Sequence, residues 1–434
     1  MELLSNIGNF IIFQILDQAP IFLGLITLVG MLLQKSKGSE IFDAVIKTVI
    51  GMLILSAGAN LISGTITPVM QLLNNVVGVS GVMPMNEAAF GVAMTSVAET
   101  AVTIFVFGFL IHLVLVYLIP NKGMKNVYLT AHMMLYLAIF LTLTVNSTLG
   151  LEGIPLIVVS SVLAALYWTF TPAIPRALGK KYFGEDFTLG HAQQFGTLIG
   201  ALCGKLFKNH AEEEDADNIV LPGGLYLFQD VTLALSLIMP ILFVIIGVVV
   251  GEDQVMTLAG TQNWIIFLLM QGLQFAAGVA VMLYGVRMFL NSIIPAFKGI
   301  SEKLIPNSVP ALDCPVLYPY SPSGAMFGFL GSIPAGILVC VLTAVLGSAV
   351  VVFPSPIILF FDGCTVGVFG NKYGGWKGAL LGGFVSSLIA HLAIIPLYPM
   401  MGSLFGSGLM FSNIDYAVLW LPLLLVFKFI GGLI

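Results

Sequence analysis

Residues 44–68 read AVIKTVIGMLILSAGANLISGTITP, an apolar run closed by a proline and carrying one charge, Lys47, near its start. About 20 apolar residues of helix cross the hydrocarbon core of a bilayer, so this stretch is long enough to span one. Its spacing recurs later in the chain. Gly51, Gly58, Ile66 and Pro68 are matched by Gly278, Gly285, Ile293 and Pro295 of QGLQFAAGVAVMLYGVRMFLNSIIP (residues 271–295), each shifted by 227 positions. Small residues let membrane helices approach closely, and weak internal repeats are common in transporters.

The whole chain has the same character. Its 434 residues are 58% hydrophobic and 9% charged, with mean hydropathy +1.04, whereas a soluble domain carries about 25% charged residues. Water is therefore excluded as the main solvent, and the lipid bilayer is the expected surroundings of an all-α polytopic protein. The 47 glycines and 21 prolines lie largely inside apolar runs, so broken helices are expected. The N-terminus lacks a basic segment and a cleavage site, which predicts a mature chain starting at residue 1.

Eleven spans are legible, at roughly 20–34, 44–66, 93–119, 127–147, 152–172, 224–250, 263–292, 326–347, 350–369, 378–399 and 416–434. Cytoplasmic loops are rich in Lys and Arg, and here the basic residues fall in alternate connections. Lys35 and Lys37 follow the first span, Lys122 and Lys125 the third, and Arg176, Lys180 and Lys181 the fifth. Residues 69–92 and 148–151 carry neither Lys nor Arg. The pattern predicts an N-terminus outside and a C-terminus in the cytoplasm. The apolar piece 195–207 is short for a crossing, and reading it as re-entrant keeps the alternation. The two matched glycine spans then run in opposite directions, as in an inverted repeat covering approximately 20–207 and 224–399 within one membrane domain, 1–434.

The net charge of −5 comes chiefly from Glu212, Glu213, Glu214, Asp215 and Asp217, read as a solvated cytoplasmic loop over 208–220. No nucleic-acid partner is expected. Cys203, Cys314, Cys340 and Cys364 have no metal or redox spacing, and there is no phosphate-binding glycine loop, so neither metal nor cofactor is expected. Asn86 lies 18 residues after Pro68 and Asp313 lies 18 after Pro295. In an inverted repeat such equivalent breaks meet near the bilayer centre, which predicts that Asn86 and Asp313 share one solute site.

The segment GVRMFLNSIIPAFKGISEKLIPNSVPALDCPVLYPYSPSGAMFGFLGS and the later FFDGCTVGVFGNKYGGWKGALLGG resemble the membrane IIC component of the ascorbate-type phosphotransferase system. APIFLGLITLVG, IKTVIGMLILSAGANLISGTITPV, LTAHMM and FTLGHAQQF extend the resemblance, in order, over nearly the whole chain. The resemblance implies a permease of the bacterial plasma membrane with eleven spans, a dimerisation domain, and a core domain that carries a small sugar-like solute inward. It also implies a homodimer and a separate IIB protein that phosphorylates the solute. Carried over by position, the site comprises Asn86, Glu87, His132, His191 and Asp313. Tyr136 and Ala192 stand where the family pattern has glutamines, which leaves ascorbate, a related lactone or a polyol open.

Ionisable residues within spans cost about 2.5–3.5 kcal/mol to insert and usually face a cavity or a partner. His132 and His191 are read as solute contacts, with helix pairing and loop capping as their structural alternatives. Asp362, at a glycine-flanked break, is read as a helix cap or a local solute contact. Glu99, His112, Asp230, Arg287 and His391 are read as partners between helices, and Trp168 and Trp376 as interface anchors. An ion-coupled secondary transporter using Asp313, Asp362 or Glu99 is the rival function. An intramembrane enzyme has the least support, because no nucleophile–base pair stands out.

Overall fold

The computed structural model describes residues 19–77, 80–184, 187–208, 213–219, 231–305 and 308–432. Glu212 and Asp230 lie outside the described residues. The principal elements in chain order are α1 (Ala19–Leu33), α2 (Gly38–Val77), β1 (Ser80–Pro84), α3 (Asn86–Leu118), β2 (Asn126–Tyr128), α4 (Ala131–Leu149), α5 (Gly153–Phe170), α6 (Ala173–Phe183) and α7 (Gln194–Lys205). There follow α8 (Val231–Val250), α9 (Glu252–Ala259), α10 (Trp264–Leu304), β3 (Val309–Ala311), α11 (Pro322–Val345), β4 (Val350–Val352), α12 (Pro356–Leu397), β5 (Leu409–Met410) and α13 (Leu421–Gly431). Among the described residues, seven helices are long and apolar enough to cross a membrane, and 235–250 and 416–431 form shorter apolar helices. The chain is a helical, multi-pass membrane protein.

Helices do not map one to one onto the expected spans, and α12 explains part of the difference. It covers the two spans expected at 350–369 and 378–399 as two arms, separated by non-helical Gly374 and Gly375. The arms fold back on each other, because Gly370 faces Gly378 and Val366 faces Gly382. Gly375 has φ 68°, a left-handed conformation that a side chain would strain.

The acidic run packs on this turn instead of standing free in water. Lys377 Nζ donates to Glu214 at 2.6 Å, Lys372 Nζ to Asp217 at 3.2 Å, and Asn371 Nδ2 to Asp215 at 2.6 Å. The backbone joins in: Trp376 N donates to Glu214 O at 2.9 Å, and Ala216 N to the Asn371 side chain at 2.8 Å. The solvated-loop expectation is corrected only in part: Glu214, Asp215 and Asp217 have partners, while Glu213 and residues 217–219 remain exposed. Two lysines sit within reach of these carboxylates, and pairing offsets the cost of partial burial. Trp168 is a second correction. It is fully buried and packs against Phe105 and Tyr128, because Gly108 of α3 leaves room for its ring.

The glycines that opened the sequence argument lie at one crossing. α2 and α10 run antiparallel, with Gly51 against Gly285 and Gly58 against Gly278 and Met282. A Cβ on Gly51 would stand 2.6 Å from Phe289 N and 2.9 Å from Gly285 O, so only hydrogen fits. Backbone contact of this kind is how helices associate in lipid, where no hydrophobic force acts between them. Gly285→Leu is expected to destabilise the protein by about 1–3 kcal/mol through overpacking. Gly64→Ala in α2, with nothing within 4 Å of its Cβ position, should be neutral or stabilise by up to about 1 kcal/mol. Thermal unfolding in detergent measures both, and equal midpoints for the two variants would refute the crossing.

Candidate functional site

Two parallel backbone pairings assemble the polar centre. β2 pairs with β3 in the register Asn126↔Val309 to Tyr128↔Ala311, and Leu189 bridges to Leu312. His132 follows Tyr128 by four residues, His191 follows Leu189 by two, and Asp313 follows Leu312 directly. The register therefore brings three distant segments together. His132 Nε2 lies 3.6 Å from Asp313 Oδ2, and His191 Nε2 lies 3.9 Å from Asp313 Oδ1. Gly190 is required for this approach: a Cβ there would meet Ala311 O at 2.5 Å, and its N–H donates to Leu312 O at 2.7 Å. Asp313 Oδ1 also accepts from Cys314 N at 2.7 Å, which fixes the carboxylate.

A neutral imidazole has one nitrogen to donate and one to accept. His132 and His191 are both buried, and the Nδ1 atom of each has no protein partner. The same holds for Thr130 Oγ1, Tyr136 Oη, Glu87 Oε2 and Gln194 Oε1. Buried polar atoms are normally hydrogen-bonded, so a group of orphaned ones beside a carboxylate points to a polar ligand. Tyr136 packs edge-on to His132 at 5.5 Å and against Phe90 and Phe411, which makes the wall of the centre aromatic.

A second polar group is fully satisfied and serves the fold. Asn86 Nδ2 donates to Asn413 Oδ1 at 2.6 Å, and Asn86 Oδ1 accepts from Ser412 N at 2.8 Å. Asn413 Nδ2 donates to Asp362 Oδ1 at 2.6 Å, and Ile414 N donates to Asp362 Oδ2 at 3.2 Å. Asp362 therefore pins the segment 412–415, in keeping with its reading as a cap. Asp415 accepts from Tyr167 Oη at 2.6 Å, Gln194 N at 3.0 Å and Phe195 N at 2.9 Å, capping the start of α7. Ala192 contributes backbone, since its carbonyl accepts from Asp415 N at 3.3 Å. Sequence reasoning missed Asn413, Asp415, Tyr167 and Gln194. The signal for the first two was the polar group SNID inside an apolar tail.

Three of the other intramembrane candidates, His112, His391 and Glu99, have surroundings of their own. His112 Nε2 accepts from Tyr128 N at 3.1 Å and its Nδ1 meets Thr169 at 2.8 Å, so it joins α3 to α5 and β2. His391 bonds to Ser387 of its own helix. Glu99 lines a separate cavity of about 430 Å³ with Ser56 and Asn60. Asp415→Ala would strand a phenol and two amides, and should cost more than about 3 kcal/mol. Tyr167→Phe removes one hydroxyl, which donates to Asp415 at 2.6 Å and reaches His191 O at 3.4 Å, and should cost about 1–2 kcal/mol. Unfolding midpoints of the two purified variants test the ranking, which fails if Tyr167→Phe is the more damaging.

The family described as the sugar-specific permease component of the phosphotransferase system, EIIC-GAT, matches residues 14–415. The chain is also 27% identical over 432 residues to the ascorbate-specific PTS system EIIC component of Mycoplasma pneumoniae, an alignment covering 88% of this chain. It spans 64% of the length of that relative. A match over nearly the whole chain, on a helical fold with an orphaned polar centre, places this protein in the EIIC-GAT family of phosphotransferase-system sugar permease components.

Proposed function

We propose that this chain binds ascorbate or a related sugar or polyol and delivers it inward for phosphorylation by a separate IIB protein. The observation that carries the reading is the pair of imidazoles facing the Asp313 carboxylate, with Glu87 and Tyr136 holding unpartnered polar atoms beside them. A hydroxyl-rich ring supplies donors to Asp313 and Glu87 and acceptors for the Tyr136 hydroxyl and the imidazole N–H groups. Asn86 belongs to the site as the residue that fixes the neighbouring 412–415 segment, and Ala192 as a backbone position on its edge. The ascorbate-specific name of the Mycoplasma pneumoniae relative supports the choice of solute class.

The protein works as a homodimer in the bacterial plasma membrane, with eleven spans in an inverted repeat and α7 as a re-entrant segment. The antiparallel glycine crossing of α2 and α10 supports the repeat, as does the exchange of strands in which β1 pairs with β4 and β3 with β2. Inward delivery proceeds by elevator-like movement of the core domain, with the N-terminus outside and the C-terminus in the cytoplasm. In a background lacking the native cysteines, Gln262→Cys should label from outside and Asn218→Cys only from the cytoplasm. Labelling of both from one side would overturn the orientation.

Losing a charge-assisted hydrogen bond removes about 1.5–3 kcal/mol, or roughly 10- to 150-fold in affinity. Asp313→Asn should weaken ascorbate binding to the purified protein by that factor while leaving expression intact. Unchanged affinity in the folded variant would remove Asp313 from the site. In vesicles, accumulation should require IIB and a phosphoryl donor. Accumulation driven by an ion gradient alone would instead establish secondary transport.

A further inference from the structure

We propose that His191, Asp313 and Cys314, completed by His132, form a binding site for a transition-metal dication of the zinc class. The ligand atoms of His191, Asp313 and Cys314 lie within 4.8 Å of one another. His132 Nε2 stands 3.6 Å from the second oxygen of the same carboxylate. In a tetrahedral zinc site, bonds of about 2.0–2.3 Å put neighbouring ligand atoms about 3.3–3.8 Å apart. His191, Asp313 and Cys314 need to close by at most roughly 1–1.5 Å to reach that spacing, and His132 approaches through the carboxylate that it already faces. The set combines two imidazoles, a carboxylate and a thiol, which suits zinc and its neighbours and disfavours the oxygen-seeking magnesium and calcium.

Supporting contacts already hold the carboxylate and the thiol in place. The Cys314 backbone N–H donates to Asp313 Oδ1 at 2.7 Å, and Tyr318 Oη donates to Cys314 Sγ at 3.3 Å. A donor aimed at the sulfur stabilises a thiolate, as outer contacts do in metal sites. Binding replaces the Cys314 thiol proton with the metal and passes that proton to the buffer, while both imidazoles bind as neutral donors. Spacing along the chain could not reveal this set, because its members come from α4, the segment before α7 and the turn after β3. The proposal is independent of which solute the protein carries, although ion and solute would compete for Asp313.

Isothermal titration of the tag-free, detergent-purified chain with zinc chloride tests it. One ion per chain is expected, with heat that varies with the buffer's own protonation enthalpy and no binding of magnesium. His191→Ala and Cys314→Ala should each weaken zinc binding at least about tenfold, the lower end of what losing even a supporting contact costs. Cys340→Ala should leave binding unchanged. No saturable zinc binding by the folded wild type, or the same affinity in His191→Ala and Cys314→Ala, overturns the site. If either variant fails to fold, X-ray absorption of the zinc-loaded wild type decides. A shell containing one sulfur supports the proposal, and one with only oxygen and nitrogen overturns it.

Discussion

A peptide group buried away from water has to find a hydrogen-bond partner, and in a chain of this hydropathy almost none of the interior can rely on solvent. Helices meet the requirement within themselves. The breaks that make a polar centre do not, and here they meet it through strands of two to five residues. Phe353 N donates to Val82 O, Met85 N to Met410 O, Leu129 N to Ala311 O and Gly190 N to Leu312 O. Remove these pairings and the non-helical backbone that leads into Asn86 and His132 and carries His191 and Asp313 would have no place in the interior.

The same rule separates the polar side chains into two classes. Asp362, Asn413, Asn86 and Asp415 hold partners on their polar atoms, and they tie the tip of one broken segment to the start of α7. Glu87, Tyr136 and the Nδ1 atoms of His132 and His191 are equally buried but unpartnered within the protein. Burying an unpaired polar group costs roughly 1–3 kcal/mol. Several side by side make a poor structural device and a good receptor for hydroxyl groups.

The bilayer setting was legible in sequence from hydropathy, and spacing and motif singled out the matched glycines and His132, His191 and Asp313, though not that the two glycine helices cross each other. What stayed hidden depends on partners far away in the chain. Asp415 reads as one acid in an apolar tail until Gln194, more than two hundred residues earlier, presents its N–H. The run at 213–217 reads as a water-loving loop until Lys372 and Lys377 fold onto it. Trp168 reads as a membrane-surface anchor because it stands near a helix end, and only the notch at Gly108 draws it inward. Hydropathy measures what a segment would do alone, so it cannot register compensation across such separations.

The order of the strands also places a delay in synthesis. β1, the central strand of its sheet, starts at residue 80 and finds its partner β4 at residue 350, and β2 waits from residue 126 for β3 at residue 309. At about 5–20 residues per second, the first interval alone lasts roughly 15–55 s. During that time the first half of the chain resides in or beside the membrane with open strand edges and no protein acceptor for them. The ribosome-bound intermediate is therefore a species with its own needs, met by the insertion machinery or by water held at the breaks. The burden of biogenesis falls on the early half of the chain, while the residues that relieve it are made last.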